Sequence, residues 1–150
     1  MKTLISIAVL MGTAVLSLPA AAQFAKAEDA IEYRQGAFRV MAHHFSRLGA
    51  MANGKAPYNA AVAAADGDVL AVVSKLPQAG FVAGSDKGKT RALPDIWKEE
   101  AKFKDLYEKM VAETAKVATA AKSGSLDQLK ASFGPAAQSC KACHDEYRAK

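Results

Sequence analysis

The sequence predicts an all-α protein that folds as an antiparallel four-helix bundle. Four long segments repeat their apolar residues at the spacings of an amphipathic helix. Short clusters of Gly, Pro, Asn and Ser separate these segments, and no segment has the alternation of a half-buried strand. Helices of about 20 to 25 residues are roughly 30 to 37 Å long. Four of them with short connections form such a bundle.

The first 22 residues have the pattern of a secretory signal peptide. Lys2 precedes an almost uncharged apolar run from Thr3 to Pro19, and three alanines at 20–22 follow as a small-residue cleavage site. A transmembrane anchor needs about 20 apolar residues, and here a polar chain starts at once. We therefore expect export, removal of residues 1–22, and one domain over residues 23–150 that has no membrane attachment.

Composition limits the class of protein further. The 150 residues carry a formal net charge of +5 and contain two cysteines. Cys140 and Cys143 are too close together to cross-link distant parts of a fold, so this is no disulfide scaffold. Lys and Glu alternate over residues 98–105, as on a solvated helix face, and nucleic acid is not an expected partner. The sequence has no convergent acid–base pair, so we do not expect an enzyme.

The first helix is predicted from about Glu28 to Ala52. It ends at Asn53 and Gly54, a typical C-terminal stop signal. One apolar stripe follows its length and is formed by Ile31, Phe38, Met41, Phe45 and Leu48. This stripe predicts the face that is buried in the bundle.

The second helix is predicted to begin with Pro57 near its first position and to end before Pro77. Gly67 lies inside it and should weaken it locally. The connection from Pro77 to Leu93 is long for a compact helical domain and rich in glycine. Such loops are often functional.

The third helix is predicted to start at Pro94 and to end before Gly124. The fourth opens with Ser125 and Gln128 as a capping box. Pro135 interrupts it, because proline lacks the N–H of a helical hydrogen bond and crowds the preceding turn. We expect a kink there, or two shorter helices.

The sharpest signal is Cys-Lys-Ala-Cys-His at residues 140–144, the attachment motif of haem c. On a helix, both thiols and the imidazole of His144 project from one face. A zinc site would need two further ligands, and the adjacent His43 and His44 point about 100° apart on a helix. A redox dithiol would need a strand–turn–helix setting, which the sequence lacks. The predicted export also supports haem c, because bacteria attach this haem after the protein is secreted.

The motif lies at the far end of the chain, with only six residues after His144. A sixth iron ligand must therefore come from an earlier helix. Two of the five methionines fall in the predicted signal peptide, which leaves Met41, Met51 and Met110.

Four helices with this terminal motif, together with the sequence Phe-Ala-Lys-Ala-Glu-Asp-Ala-Ile-Glu-Tyr-Arg-Gln at residues 24–35, resemble the bacterial cytochromes c′. Residues 41–45, 56–58, 94–97 and 139–148 resemble the family too. The resemblance implies a periplasmic homodimer formed through the first two helices, with one haem c per chain. It implies five-coordinate, high-spin iron that binds nitric oxide or carbon monoxide, or passes single electrons to a redox partner.

The resemblance also implies roles for single residues. Cys140 and Cys143 would anchor the haem, and His144 would be the axial ligand. Arg148, one turn beyond His144, matches an arginine beside the proximal histidine.

At the haem edge, Arg34 lies on the core-facing stripe and should meet an anion. The family's matching arginine contacts a haem propionate, and Gln35 is its neighbour. Arg91 is a weaker candidate for the same edge.

Phe38 falls where the family places its distal residue. A phenyl group can cover the sixth coordination site but cannot bind iron. Met41 is the competing candidate, since low-spin relatives use a methionine of this helix, and a one-electron carrier with Met41 ligation is the alternative function. In those relatives the methionine occupies the place that Phe38 holds here, so we assign Met41 to core packing. His43 and His44 lie on other faces and are expected at the surface or at an interface.

Overall fold

The structure is a computed structural model, and it describes residues 23–150. The predicted signal peptide, residues 1–22, lies outside the described residues. The described chain forms five α-helices: α1 Ala27–Ala52, α2 Ala60–Val73, α3 Asp95–Lys98, α4 Glu100–Lys122 and α5 Leu126–Tyr147. The four long ones build a four-helix bundle, as the sequence predicts. Within residues 23–150 the only extended pairing is an isolated bridge between Ala92 and Arg148, and no helix there is long and apolar enough to cross a membrane.

Helix α1 follows its predicted boundaries. Glu28 and Asp29 lie in its first turn, where the positive end of the helix dipole favours carboxylates. Beyond Asn53 the backbone of Gly54 takes a φ of +69°, a conformation that glycine adopts without steric cost. The predicted stripe faces the interior: Ile31, Met41 and Leu48 are buried, while Phe38 and Phe45 are half-buried.

Helix α2 begins later than predicted. Asn59 caps it by accepting a hydrogen bond from the N–H of Val62 at 3.0 Å, and Pro57 lies outside the helix. The asparagine side chain satisfies an N–H that has no partner within the helix, and this fixes the boundary. Gly67 has a packing role: a Cβ there would lie 3.0 Å from Cβ of Ala121 and 3.1 Å from the carbonyl oxygen of Ala118. Helices α2 and α4 therefore approach closely at this glycine.

The predicted third helix is two helices. Glu99 has the non-helical angles φ −115° and ψ 43° and separates the short α3 from the long α4. In contrast, α5 runs without interruption through Pro135, and the alternative of two shorter helices is wrong. Leu129 and Ala136, on either side of the missing hydrogen bond, are fully buried and hold both halves in the core. Half of the predicted capping box forms: Ser125 Oγ accepts from the N–H of Gln128 at 3.3 Å, whereas the N–H of Ser125 donates to Ser123 Oγ at 3.2 Å.

The long connection after α2 is tied to the bundle. It starts with a 3-10 turn over Pro77–Gly80. The Tyr107 hydroxyl of α4 donates to the carbonyl of Ser74 at 2.8 Å and accepts from the N–H of Gln78 at 3.1 Å. The loop is therefore anchored where it leaves α2.

Candidate haem site

A cavity of about 600 Å³ lies between α1, α4, α5 and the long loop. Its size falls in the range of small-molecule and cofactor pockets. All nine site residues predicted from the sequence line it: Arg34, Gln35, Phe38, Met41, Arg91, Cys140, Cys143, His144 and Arg148. Side chains from opposite ends of the sequence thus meet in one place.

Helix α5 contributes both cysteines and the histidine. The two thiols are unlinked and half-buried. Burial raises the pKa of the Cys140 thiol. Burial and the neighbouring Cys140 raise the pKa of Cys143 to about 11. Both thiols are therefore protonated at neutral pH, and each has an S–H that a thioether bond to a haem vinyl group would use, with the sulfur and the hydrogen going to the two vinyl carbons.

His144 is poised to act as a neutral ligand. Burial lowers its pKa, and the charges of Arg148 and Arg91 add to the effect, while Asp145 opposes it. The uncharged imidazole, which has a free lone pair for a metal, is the favoured form near neutral pH. Arg148 lies just past the end of α5, with its N–H donating to the carbonyl of His144 at 3.3 Å.

Arg34 is almost fully buried, with 2% of its surface exposed. Nη1 donates to the Gly80 carbonyl at 2.7 Å and to Ser85 Oγ at 2.6 Å. Nη2 donates to the Ser85 carbonyl at 2.7 Å and to Thr90 Oγ1 at 2.9 Å. Neutral oxygens of the loop thus accept from four of its N–H groups, so the guanidinium is not left unpaired in the interior. Its contact with a haem propionate stays a prediction.

The other predicted edge residues are also tied to backbone. Gln35 donates from Nε2 to the Lys89 carbonyl at 2.8 Å. Arg91 donates to the Ala149 carbonyl from Nε at 2.9 Å and from Nη2 at 2.5 Å. Both side chains border the cavity while bracing the segments that form its rim.

Aromatic residues form much of the wall. Phe38 of α1 lines the cavity together with Phe81, Phe103 and Tyr147. Phe81 contacts Phe103 with ring centroids 4.8 Å apart. Sequence reasoning missed Phe81, and its one signal was a large apolar residue inside a glycine-rich loop. Met41 is both buried in the core and part of the wall.

His43 and His44 are not part of the cavity lining. His43 is exposed, as expected. The expectation for His44 is corrected: its ring is half-buried, and Nδ1 lies 2.8 Å from Oδ1 of the buried Asp66 on α2. A residue of the neighbouring helix faces it, which helical angles within α1 alone could not indicate.

These residues fit a covalently held haem. Two protonated thiols and a neutral imidazole come from one helix face, beside a cavity with a mainly apolar lining and cationic residues on its rim. A helical bundle with this arrangement defines the class of c-type haem proteins that carry their attachment motif on the last helix.

Comparison with known proteins identifies the group within that class. The sequence profile of the family described as Cytochrome C' matches residues 29–148. Cytochrome c' of Alcaligenes xylosoxydans xylosoxydans is 46% identical over 128 residues, which are 85% of this chain and 99% of that protein.

Two solved structures are similar as well. The crystal structure of cytochrome c' from Rubrivivax gelatinosus has a TM-score of 0.81 and 46% identity, over 84% of this chain and 99% of its own. A nitric oxide complex of a mutant cytochrome c' from Alcaligenes xylosoxidans has a TM-score of 0.78 and 45% identity, over 85% and 99%.

This chain belongs to the cytochrome c′ family. Members of the family are bacterial c-type cytochromes with covalently bound haem c, which is the cofactor of this chain. The family consists of electron-transfer and gas-binding haem proteins.

Proposed function

We propose that this chain is exported to the periplasm, loses residues 1–22, and serves as a cytochrome c′ whose five-coordinate, high-spin haem binds nitric oxide or carbon monoxide and passes single electrons. Cys140 and Cys143 hold the haem and His144 is its axial ligand. When bound, the haem supplies an iron centre that takes up a diatomic gas or one electron. The protein has no turnover chemistry of its own.

One observation carries this proposal. The cysteines and His144 line the cavity from α5, whereas Phe38 lines it from α1. A phenyl ring has no lone pair to offer a metal, so at that wall it excludes water and larger ligands. When the Phe38 ring moves aside, it leaves room for a diatomic gas. The solved nitric oxide complex of the Alcaligenes relative supports the choice of ligand.

The cationic rim has a separate role in the proposal. Burial lowers the pKa of His144, and the charges of Arg148 and Arg91 add to this effect, so the two arginines help to keep the ligand uncharged. Arg34, Gln35 and Arg91 border the cavity and would be the partners of the haem propionates, because arginine N–H groups form charge-assisted hydrogen bonds with carboxylates. For Arg34, the Nε–H remains after its four bonds to the loop.

The spectrum of purified holoprotein tests the proposal. We expect high-spin, five-coordinate absorption spectra in the ferric and ferrous states, and a new spectrum when nitric oxide is added. A six-coordinate, low-spin resting spectrum would contradict it. Acid-denatured mass spectrometry should show haem retained on a chain that starts at Gln23, and fractionation should place it in the periplasm.

Met41 ligation is the second candidate, because Met41 also lines the cavity. In that case Met41→Leu converts a low-spin spectrum into a high-spin one. We expect Met41→Leu to leave the spin state unchanged, because its side chain is 8% exposed and packs in the core cluster of the bundle.

We further propose that two copies associate through α1 and α2. Val40 on α1, Val72 on α2 and Leu76 just beyond α2 are the large apolar side chains that stay exposed among residues 23–150, at 45%, 62% and 38%. Burial of such side chains favours association. Val72→Lys should shift sedimentation velocity toward the monomer, whereas Lys109→Ala on α4 should not.

A further inference from the structure

Arg34 attaches the long loop directly to α1. Its four hydrogen bonds reach three loop residues that are 46 to 56 positions away in the chain. The loop backbone also packs directly against α1, with no side chain between them. A Cβ on Gly80 would lie 2.6 Å from the carbonyl oxygen of Ala30 and 2.7 Å from Cβ of Arg34. The start of the loop is thus fixed on α1 by contact as well as by hydrogen bonds.

Phe81 follows Gly80 and is held from two sides. The guanidinium carbon of Arg34 lies 4.8 Å from the centroid of the Phe81 ring and 5.8 Å from that of Trp97, distances at which a cation attracts an aromatic face. Trp97 Nε1 donates to the carbonyl of Val82, the next residue, at 3.1 Å, and the centroids of the Trp97 and Phe81 rings are 6.2 Å apart. Arg34 and Trp97 together fix the position of the Phe81 ring.

The Phe81 ring in turn contacts Phe38. Their centroids are 6.3 Å apart at an interplanar angle of 70°, an edge-to-face contact. Both rings line the cavity, and Phe103 also packs against Phe81, with ring centroids 4.8 Å apart. Phe38 can therefore turn away toward the loop only if Phe81 moves, and Phe81 can move only if the loop loosens.

We propose that Arg34 is a positioning residue for gas access: through the loop it holds Phe81 against Phe38, and these two rings together form the gate over the ligand side of the haem. The inference rests on the proposed function, because it assumes that Phe38 covers the open coordination site. It adds that a buried arginine sets the free-energy barrier to gas entry. This arginine does not need to touch the ligand.

The test is the association rate of carbon monoxide with ferrous holoprotein, followed by stopped flow. Arg34→Lys replaces a planar group with a single ammonium that cannot reach the same four acceptors, and we expect association about tenfold faster, equivalent to about 1.4 kcal/mol in the barrier. Ser85→Ala removes one acceptor and keeps the carbonyl bond, so a smaller increase is expected. Arg47→Lys, on the same helix but outside the cavity lining, is the matched control and should leave the rate unchanged.

Two further measurements separate positioning from general loosening. In a Phe38→Ala background the gate is already open, so adding Arg34→Lys should change the rate no further. Hydrogen exchange should show faster exchange at amides 81–90 in the Arg34 variant, with the amides of α4 unaffected.

Three results would overturn the inference. These are an unchanged rate in both the Arg34 and Ser85 variants, an equal increase in the Arg47 control, or additive effects of Arg34→Lys and Phe38→Ala. Failure of the proposed function looks different, because the wild-type protein would then take up no carbon monoxide.

Discussion

His44 and Asp66 form a polar contact between α1 and α2, with Nδ1 2.8 Å from Oδ1. Only 2% of the Asp66 side chain is exposed. Arg47 reaches within 3.3 Å of Oδ2, yet that oxygen has no hydrogen-bond partner among the described residues. The Arg47 contact lacks the geometry of a hydrogen bond, and the Arg47 side chain is 46% exposed, so solvent screens this ion pair. The buried carboxylate therefore depends mainly on His44.

Replacing His44 with Leu should destabilise the protein. The change leaves a buried carboxylate without its hydrogen bond, and a lost hydrogen bond to a group of this kind costs about 1 to 3 kcal/mol. Urea unfolding of the holoprotein, followed by far-UV circular dichroism, measures the effect. His43→Leu is the control, since His43 is exposed and should change the free energy of unfolding by no more than about 0.5 kcal/mol. Equal effects of the two substitutions would show that the pair contributes nothing specific.

Gly67→Ala should destabilise the protein although alanine is the better helix former. The added Cβ meets the α4 backbone, where the Ala118 carbonyl oxygen is 3.1 Å away and cannot rotate aside. Forcing helices apart costs about 1 to 3 kcal/mol, more than the gain in propensity of up to about 1 kcal/mol. Gly36→Ala is the matched substitution on α1, where no heavy atom lies within 4 Å of the new Cβ, and it should stabilise. Thermal unfolding should therefore shift in opposite directions, and a stabilising Gly67→Ala would refute the close approach.

Two buried tyrosine hydroxyls allow a similar comparison. Tyr107 bonds two backbone groups, the Ser74 carbonyl and the Gln78 N–H, while the Tyr58 hydroxyl is buried with no partner among the described residues. Tyr107→Phe should cost about 1 to 3 kcal/mol, because buried backbone groups lose their partner. Tyr58→Phe removes an unpaired polar atom and should be neutral or stabilising. Urea midpoints measure both, and a larger loss for Tyr58→Phe would contradict the assignment.

The features that the sequence predicted correctly depend on neighbouring residues. The end of α1 at Asn53 and Gly54, the cap at Ser125 and the common face of Cys140 and His144 all follow from signals within about one helical turn. The bundle itself follows from the apolar period of each segment. These features needed no knowledge of how the helices pack.

The features that the sequence missed are set by contacts between distant segments. Helical angles placed His44 off the core face, and only the packing of α2 brings Asp66 beside it. The loop carbonyls and hydroxyls that accept from Arg34 have no signature in the sequence, so these partners could not be predicted. Phe81 could not be predicted as a cavity residue for the same reason, because contacts between distant segments bring it into the cavity wall.

Arg91→Ala should release the C-terminus without unfolding the bundle. Arg91 bonds both backbone groups of Ala149. Its guanidinium donates to the Ala149 carbonyl, and the Arg91 carbonyl accepts from the Ala149 N–H at 2.8 Å. The Leu93 N–H also donates to the Tyr147 carbonyl at 3.0 Å. Without the guanidinium, this exposed pairing loses about 1 kcal/mol, which corresponds to about fivefold more frequent opening.

Hydrogen exchange of the holoprotein measures that opening. The amides of Leu93 and Ala149 should exchange about fivefold faster in Arg91→Ala, while the urea midpoint moves little, because the side chain is exposed. Arg39→Ala is the control: Arg39 also lines the cavity but makes no side-chain hydrogen bond among the described residues, so both amides should keep their wild-type rates. Faster exchange in both variants would mean that charge at the rim, and not the contact with Ala149, holds the end of the chain.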